Sequence, residues 1–433
     1  MEKALNYSKQ LIKNARTGEE YYKIHHPSGL TVYVMELRGF SGTSALFGTK
    51  YGSINTTFKT DDDADFVTVP EGIAHFLEHK LFENEDCPVF EDFARTGASA
   101  NAYTSFDRTV YYFDCTDNFT ESLEILLDFV QKPHFTKESV DKEQGIIGQE
   151  IKMCEDNPYR RVYFNLLQAV YKNHPVRYEI AGTVDSIAKI DSDLLYRCYN
   201  TFYNLRNMVL SVAGNCTVDE VLAVCDRVLK PSEDKGLITV PPEEPAQVNQ
   251  REITQKMSVS MPVFSIGYKA PPSSGIELLK NEYASAFLMT MMFGPTSRFF
   301  TENTQSGLIV DQSFDTETDD GEGYFMNAAS GESSDPREVL RRMNLEIERV
   351  KREGLSEEEF SELKKSRYAG YIRLYNNVPA SASNMLSAHI SGVNVFDPIE
   401  VLAEMTLKDV TERLPMLLDP ENCAISIIEP VTD

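Results

Sequence analysis

The sequence predicts an α+β protein of two homologous domains from an internal duplication, each a mainly antiparallel sheet packed with helices. Three observations lead there. The chain has 433 residues, too many for one ordinary core and enough for two domains. Its apolar residues fall into short β-type runs and longer stretches of helical period, an order that suits α+β layers rather than a doubly wound parallel sheet. That order then occurs a second time.

The first half opens with LTVYVMEL and ALFGTKYGS, strands bounded by Gly and Ser, and passes into a helical stretch from Gly72. TVYYFDCT reads as a strand and ESLEILLDFVQ as an amphipathic helix, with a further helix from about Lys137 to Met153. The strand NMVLSVAGN near Leu210 closes the half. Downstream the order recurs as the strand GYFMNAAS, the helices DPREVLRRMNLEIERVKREG and SEEEFSELKKSRYAGYIRL, and the strand NCAISIIEP. The phrases TKESVDKEQ at Thr136 and SEEEFSELK at Ser356 align, as duplicated segments should. Between the halves, residues 231–248 (PSEDKGLITVPPEEPAQV) are rich in Pro and acid, lack periodicity and read as a linker. The expected domains are therefore 1–230 and 249–433.

The composition narrows the function. Against 42 Lys and Arg stand 67 Asp and Glu, a net charge of −25, so nucleic acid is not an expected partner; it requires a basic footprint. A cationic ligand would be attracted. Seven cysteines without a C-x-x-C pair read as reduced, mostly buried thiols. No apolar stretch approaches the length of a membrane span, and the N-terminus MEKALNYSKQLIKNARTGEEYY has no apolar core of a signal sequence. A cytoplasmic location is expected.

The chemistry is concentrated in EGIAHFLEHKLFE, where His75, Glu78 and His79 form H-x-x-E-H, the inverted order of a zinc peptidase motif. At about 100° per residue, Ile73, Phe76, Leu77 and Leu81 gather on one side of a helix and His75, Glu78 and His79 on the other. The first side anchors the helix. The second faces a site: histidines at i and i+4 lie one above the other and can share one tetrahedral ion. Zinc acidifies a water, and Glu78 beside it is the expected general base. A catalytic zinc usually takes three protein ligands and keeps one position open, so a third ligand is owed. The helix KEQGIIGQEIKM places Glu143, Ile146, Ile147 and Glu150 on one stripe, with two acids where a core-facing helix would carry Leu or Val. Burying unpaired carboxylates is costly, and a metal with its supporting groups relieves that cost. The repeat sets Glu143 against Leu363 and Glu150 against Gly370, so the second half has neither acid. Spacing alone leaves Glu143, Glu150 and Glu155 open as the third ligand.

HFLEHKLFE, the pair Glu143 and Glu150 and the segment GASANAYTSFDRTVYY together resemble the pitrilysin/insulinase family of inverted-motif zinc peptidases, in its single-module bacterial and mitochondrial-processing-type branch. The similarity spans nearly the whole chain. It implies one zinc held by His75, His79 and Glu150, with Glu143 supporting the site. It also implies that GASANAYTS is an edge strand on which an extended peptide pairs, with Asn101 and Ala102 touching the peptide backbone near the scissile bond.

Family members that work alone or as identical pairs carry an Arg and a Tyr seven residues apart in the second half, which help hold the substrate and the oxyanion. The matching stretch here, SRFFTENTQSGLIV, has Thr304 and Val310 instead, and Arg373 and Tyr375 do not fit the spacing or place. The expectation is a zinc endopeptidase for short or unfolded, possibly basic, peptides within a clamshell dimer. A related subunit would supply the Arg and Tyr in a heterodimer, or the chain would form a homodimer. The alternative is a non-catalytic scaffold or peptide-binding subunit of a peptidase-like complex.

Overall fold

In the computed structural model, residues 8–83 and 89–431 are described. Two compact units emerge, and neither is one uninterrupted span. The first comprises Met1–Gln149, Ile180–Val240 and Gly370–Phe396; the second comprises Glu150–Glu179, Pro241–Ala369 and Asp397–Asp433. The units thus depart from the spans 1–230 and 249–433 expected from the sequence, for a physical reason found in two helices. Pro158–Val170, from the first half, covers the sheet of the second unit, and Val378–Ile390, from the second half, covers the sheet of the first. Their apolar faces lie on strands that neither half's own order announces.

The main sheet of the first unit has seven strands: β1 (Ser8–Lys13), β2 (Glu20–His25), β3 (Thr31–Glu36), β4 (Thr43–Thr49), β5 (Ser99–Thr104), β6 (Thr109–Cys115) and β7 (Met208–Gly214). They lie in the order β1-β2-β3-β7-β4-β6-β5. All neighbours are antiparallel except β3 and β7. Every residue of β4 and β7 is buried, the hydroxyl residues Thr43, Ser44, Thr49 and Ser211 included, because both strands lie inside the sheet with helices packed on it.

The second unit has five strands: β8 (Glu252–Met257), β9 (Val263–Lys269), β10 (Asp315–Gly321), β11 (Tyr324–Glu332) and β12 (Cys423–Pro430). Their order is β8-β12-β9-β11-β10, with β8 and β12 the parallel neighbours. That is the order β3-β7-β4-β6-β5 over again, with the parallel pair in the same place. The duplication expected from the sequence is therefore present in the topology, and β1 and β2 are additions outside the common five strands. A matching detail sits on the middle strand of each unit. A Cβ added to Gly48 on β4 would meet Leu386 Cδ1 at 2.9 Å, and one added to Gly267 on β9 would meet Leu166 Cδ2 at 3.1 Å. The missing side chains let each exchanged helix press a leucine onto the sheet.

The segment 231–248 is tied down in two places. Ile238–Thr239 pairs with Thr57–Lys59 in the first unit. In the second, the buried ammonium of Lys269 donates to Glu244 Oε1 at 2.7 Å, to the carbonyls of Pro245 at 2.7 Å and Gln247 at 3.1 Å, and to the carbonyl of Val170 at 3.1 Å. Cys115, Cys154, Cys198, Cys216, Cys225 and Cys423 are free thiols, while Cys87 lies outside the described residues. Among those residues, no helix is long and apolar enough to cross a membrane.

Candidate metal centre

The H-x-x-E-H segment forms helix α1 (Ile73–Leu81). Its start is fixed by backbone contact. Gly72 caps it with φ +90°, and an added Cβ there would stand 2.4 Å from the carbonyl oxygen of Ala181. The Ser186 hydroxyl donates to the carbonyl of Glu71 at 2.9 Å, pinning the same turn. Ile73, Phe76, Leu77 and Leu81 are buried, as the helical period requires. Lys80 is also fully buried, and its ammonium pairs with Glu83.

Opposite α1 runs α2 (Lys137–Glu155), a continuous helix whose last turns, from Glu150 on, belong to the second unit. Glu143 and Ile147 are buried, but Ile146 is 47% exposed. The stripe read from the sequence is thus narrower than expected: Ile146 sits at its rim and faces water, while the acids and Ile147 keep the inner line. Glu143 Oε1 lies 2.9 Å from His79 Nδ1. Burial alone would raise the Glu143 pKa, but the hydrogen bond from His79 and the charges of His79, Lys80 and Lys142 outweigh it and hold the carboxyl below its ordinary value. A carboxylate has no proton to give, so Nδ1–H donates and Nε2 of His79 is left to face a metal.

The ligand atoms of His75, His79 and Glu150 lie within 4.8 Å of one another, and the two imidazole rings are 4.5 Å apart between centroids. Ligands at 2.0–2.1 Å around a tetrahedral zinc are about 3.3 Å apart. Two imidazoles and a carboxylate at this spacing fit that ion with small side-chain adjustment. Glu155, the other acid open at the sequence level, is exposed and 4.0 Å from Arg161. It does not join the group.

Glu78 is on the same side of α1 as the histidines, and its Oε2 accepts a hydrogen bond of 2.6 Å from the hydroxyl of Thr104. Thr104 ends β5, an edge strand paired only with β6 among the described residues. Along β5 exposure alternates: Asn101 and Tyr103 are exposed, Ala102 and Thr104 half-buried. The Asn101 side chain accepts from the outward N–H of Ala102 at 2.9 Å, which marks the side on which an added strand would pair. Beneath, Tyr111 and Tyr203 join hydroxyl to hydroxyl at 2.9 Å. Burial above all, with the Glu78 charge contributing, pushes both phenols far above their ordinary pKa. Thr104 was not evident as a site residue from the sequence. Its signal is the period-2 pattern of Ala100, Ala102 and Thr104, two small residues and then a hydroxyl on one face of the strand.

Thr304 and Val310 belong to the second unit. Thr304 lies in the helix Arg298–Gln305 and donates to the Phe300 carbonyl of that helix at 2.8 Å; Val310 is 36% exposed. Arg373 is exposed and Tyr375 buried.

Comparison with known proteins adds to the geometry. Residues 69–184 match the family described as Insulinase (Peptidase family M16), and residues 189–367 match the one described as Peptidase M16 inactive domain. A relative from Bacillus subtilis (strain 168), named uncharacterized zinc protease YmfH, is 38% identical over 408 residues, covering 92% of this chain and 94% of its own length. The crystal structure of a protein from Alicyclobacillus acidocaldarius described as an M16-like peptidase superposes with a TM-score of 0.89 at 33% identity, over 98% of this chain and 99% of that one. Pitrilysin shares the fold, with a TM-score of 0.76 at 17% identity over 98% of this chain and 47% of its own.

Proposed function

Because the chain belongs to the M16 insulinase family of zinc peptidases, we propose that it is itself a zinc endopeptidase, with the ion held by His75, His79 and Glu150. The observation that carries this reading is the convergence of those three side chains, within 4.8 Å, on the face of α1 that also presents Glu78. When bound there, zinc supplies Lewis acidity, making a water more acidic and a peptide carbonyl more electrophilic. The remaining work falls to the chain. Glu78 takes the proton of the attacking water on its carboxylate and returns it to the leaving amine nitrogen, so one acid serves as base and then as acid. Glu143 keeps the Nδ1 proton on His79 and its ring in place. The edge of β5 at Asn101 and Ala102, which pairs with no further strand among the described residues, offers main-chain groups to an extended peptide, which selects unfolded segments over folded ones. The net charge of −25 favours basic peptides.

The proposed enzyme is a dimer in which a related subunit supplies an Arg and a Tyr, because the stretch 297–310 that corresponds in sequence to that pair carries Thr304 and Val310, which offer neither a guanidinium nor a phenol. The test uses the purified chain with unstructured basic and acidic peptides, alone and with a homologue that carries the Arg and Tyr. Cleavage is expected to be weak alone and strong with the partner, abolished by chelation and restored by zinc. Robust turnover by the isolated chain would refute the need for a partner, and activity unaffected by zinc removal would refute the zinc mechanism.

A further inference from the structure

Thr104 and Thr109 face each other as the last pair of the β5–β6 ladder, with their hydroxyl oxygens 3.4 Å apart. The Thr109 hydroxyl donates to the carbonyl of Tyr51 at 2.9 Å. Its one proton is therefore committed away from Thr104. The Thr104 proton goes to Glu78 Oε2 at 2.6 Å, a short bond of the kind a hydroxyl makes to an ionised acceptor. A β-branched side chain on a strand has few rotamers, so this hydroxyl is placed by the backbone of β5 rather than by its own flexibility.

We propose that Thr104 is a positioning residue: it holds Glu78 by one carboxylate oxygen, fixes the plane of the general base, and ties that base to the strand on which the peptide pairs. The inference rests on the peptidase reading above. Ala102 and Thr104 share the inner face of β5, two residues apart, a distance of about 7 Å along a strand. A peptide pairing outside Ala102 steadies β5, and the same strand steadies the carboxylate. Binding and proton transfer are thereby coupled through one element, and a free carboxylate on a helix surface would lack that coupling.

The variants Thr104→Val, which keeps shape and removes the hydroxyl, and Thr104→Ser, which keeps the hydroxyl, separate this role from packing. With peptide substrate and whatever partner gives full activity, Thr104→Val is expected to lose kcat by roughly ten- to a hundredfold, a fraction of what a general base contributes. Its KM should stay within about twofold and its zinc content unchanged, and Thr104→Ser should recover most of kcat. A Thr104→Val enzyme with kcat within twofold of wild type would overturn the proposal, as would Thr104→Ser failing alongside it. Crystal structures of the zinc-loaded wild-type and Thr104→Val proteins give a readout independent of turnover: the Glu78 carboxylate should turn from its place in the variant, and an unmoved carboxylate would overturn the proposal. A Glu78→Gln protein as active as wild type would instead sink the parent peptidase reading, whatever Thr104 does.

Discussion

His79 Nδ1 donates to Glu143 Oε1 at 2.9 Å, across two helices that the sequence separates by 64 positions. Glu143 is 4% exposed, and removing its carboxylate takes the acceptor from the ring N–H of the half-buried His79. Such a loss costs about 1–3 kcal/mol, and removal of a group that orients a metal ligand typically weakens metal binding by about 10–100-fold. Glu143→Ala should show a zinc affinity reduced by that factor in competition with a calibrated chelator, with the fold intact by circular dichroism.

The two acids further along α2 should separate cleanly. Glu150→Ala is expected to bind less than one zinc per chain at concentrations that saturate the wild type. Glu155→Ala, whose side chain is exposed and weakly paired with Arg161, should bind as wild type does. Metal analysis after gel filtration reads both.

Much of this site was legible because metal ligation imposes a rule the helix period makes visible: polar residues at i, i+3 and i+4 opposite an apolar stripe, as in His75, Glu78 and His79. The acids of α2 stood out because the second half carries Leu363 and Gly370 in their place. Other features left no such mark. β1 is an edge strand exposed along nearly all its length, so it shows no alternation to read. The exchange of Pro158–Val170 and Val378–Ile390 depends on which sheet each apolar face meets, and an amphipathic helix looks the same whichever sheet it covers. Ile146 was grouped with Glu143 and Glu150 by angle alone, but at the rim of a stripe a small rotation decides between core and solvent.

Gly72 offers a test of how the metal helix is held. Its φ of +90° is costly for any L side chain, by about 1–2 kcal/mol, and a Cβ would also collide with the Ala181 carbonyl at 2.4 Å. Gly72→Ala should lower Tm by several degrees and loosen zinc binding together. Gly97→Ala, with φ +79° and nothing within 4 Å of an added Cβ, should lower Tm less and leave zinc binding unchanged.

A pH dependence follows from Asp319 on β10. Burial first, then the charge of Glu317 and the smaller effect of Asp320, raise its pKa to about 7, against the opposing hydrogen bond from Tyr163. A carboxyl raised in the folded state contributes stability that is full below its ordinary pKa of 3.8 and lost as pH rises through about 7. Asp319→Asn, neutral throughout, should therefore raise Tm relative to wild type at pH 8 and show a smaller advantage at pH 5. Thermal melts at the two pH values check the sign.

The central claim, a zinc held by His75, His79 and Glu150 with Glu78 as the base, is tested most directly by zinc content and peptide cleavage measured together on Glu78→Gln. Zinc near one per chain with cleavage lost is the predicted result. Cleavage at the wild-type rate with zinc still bound would contradict it.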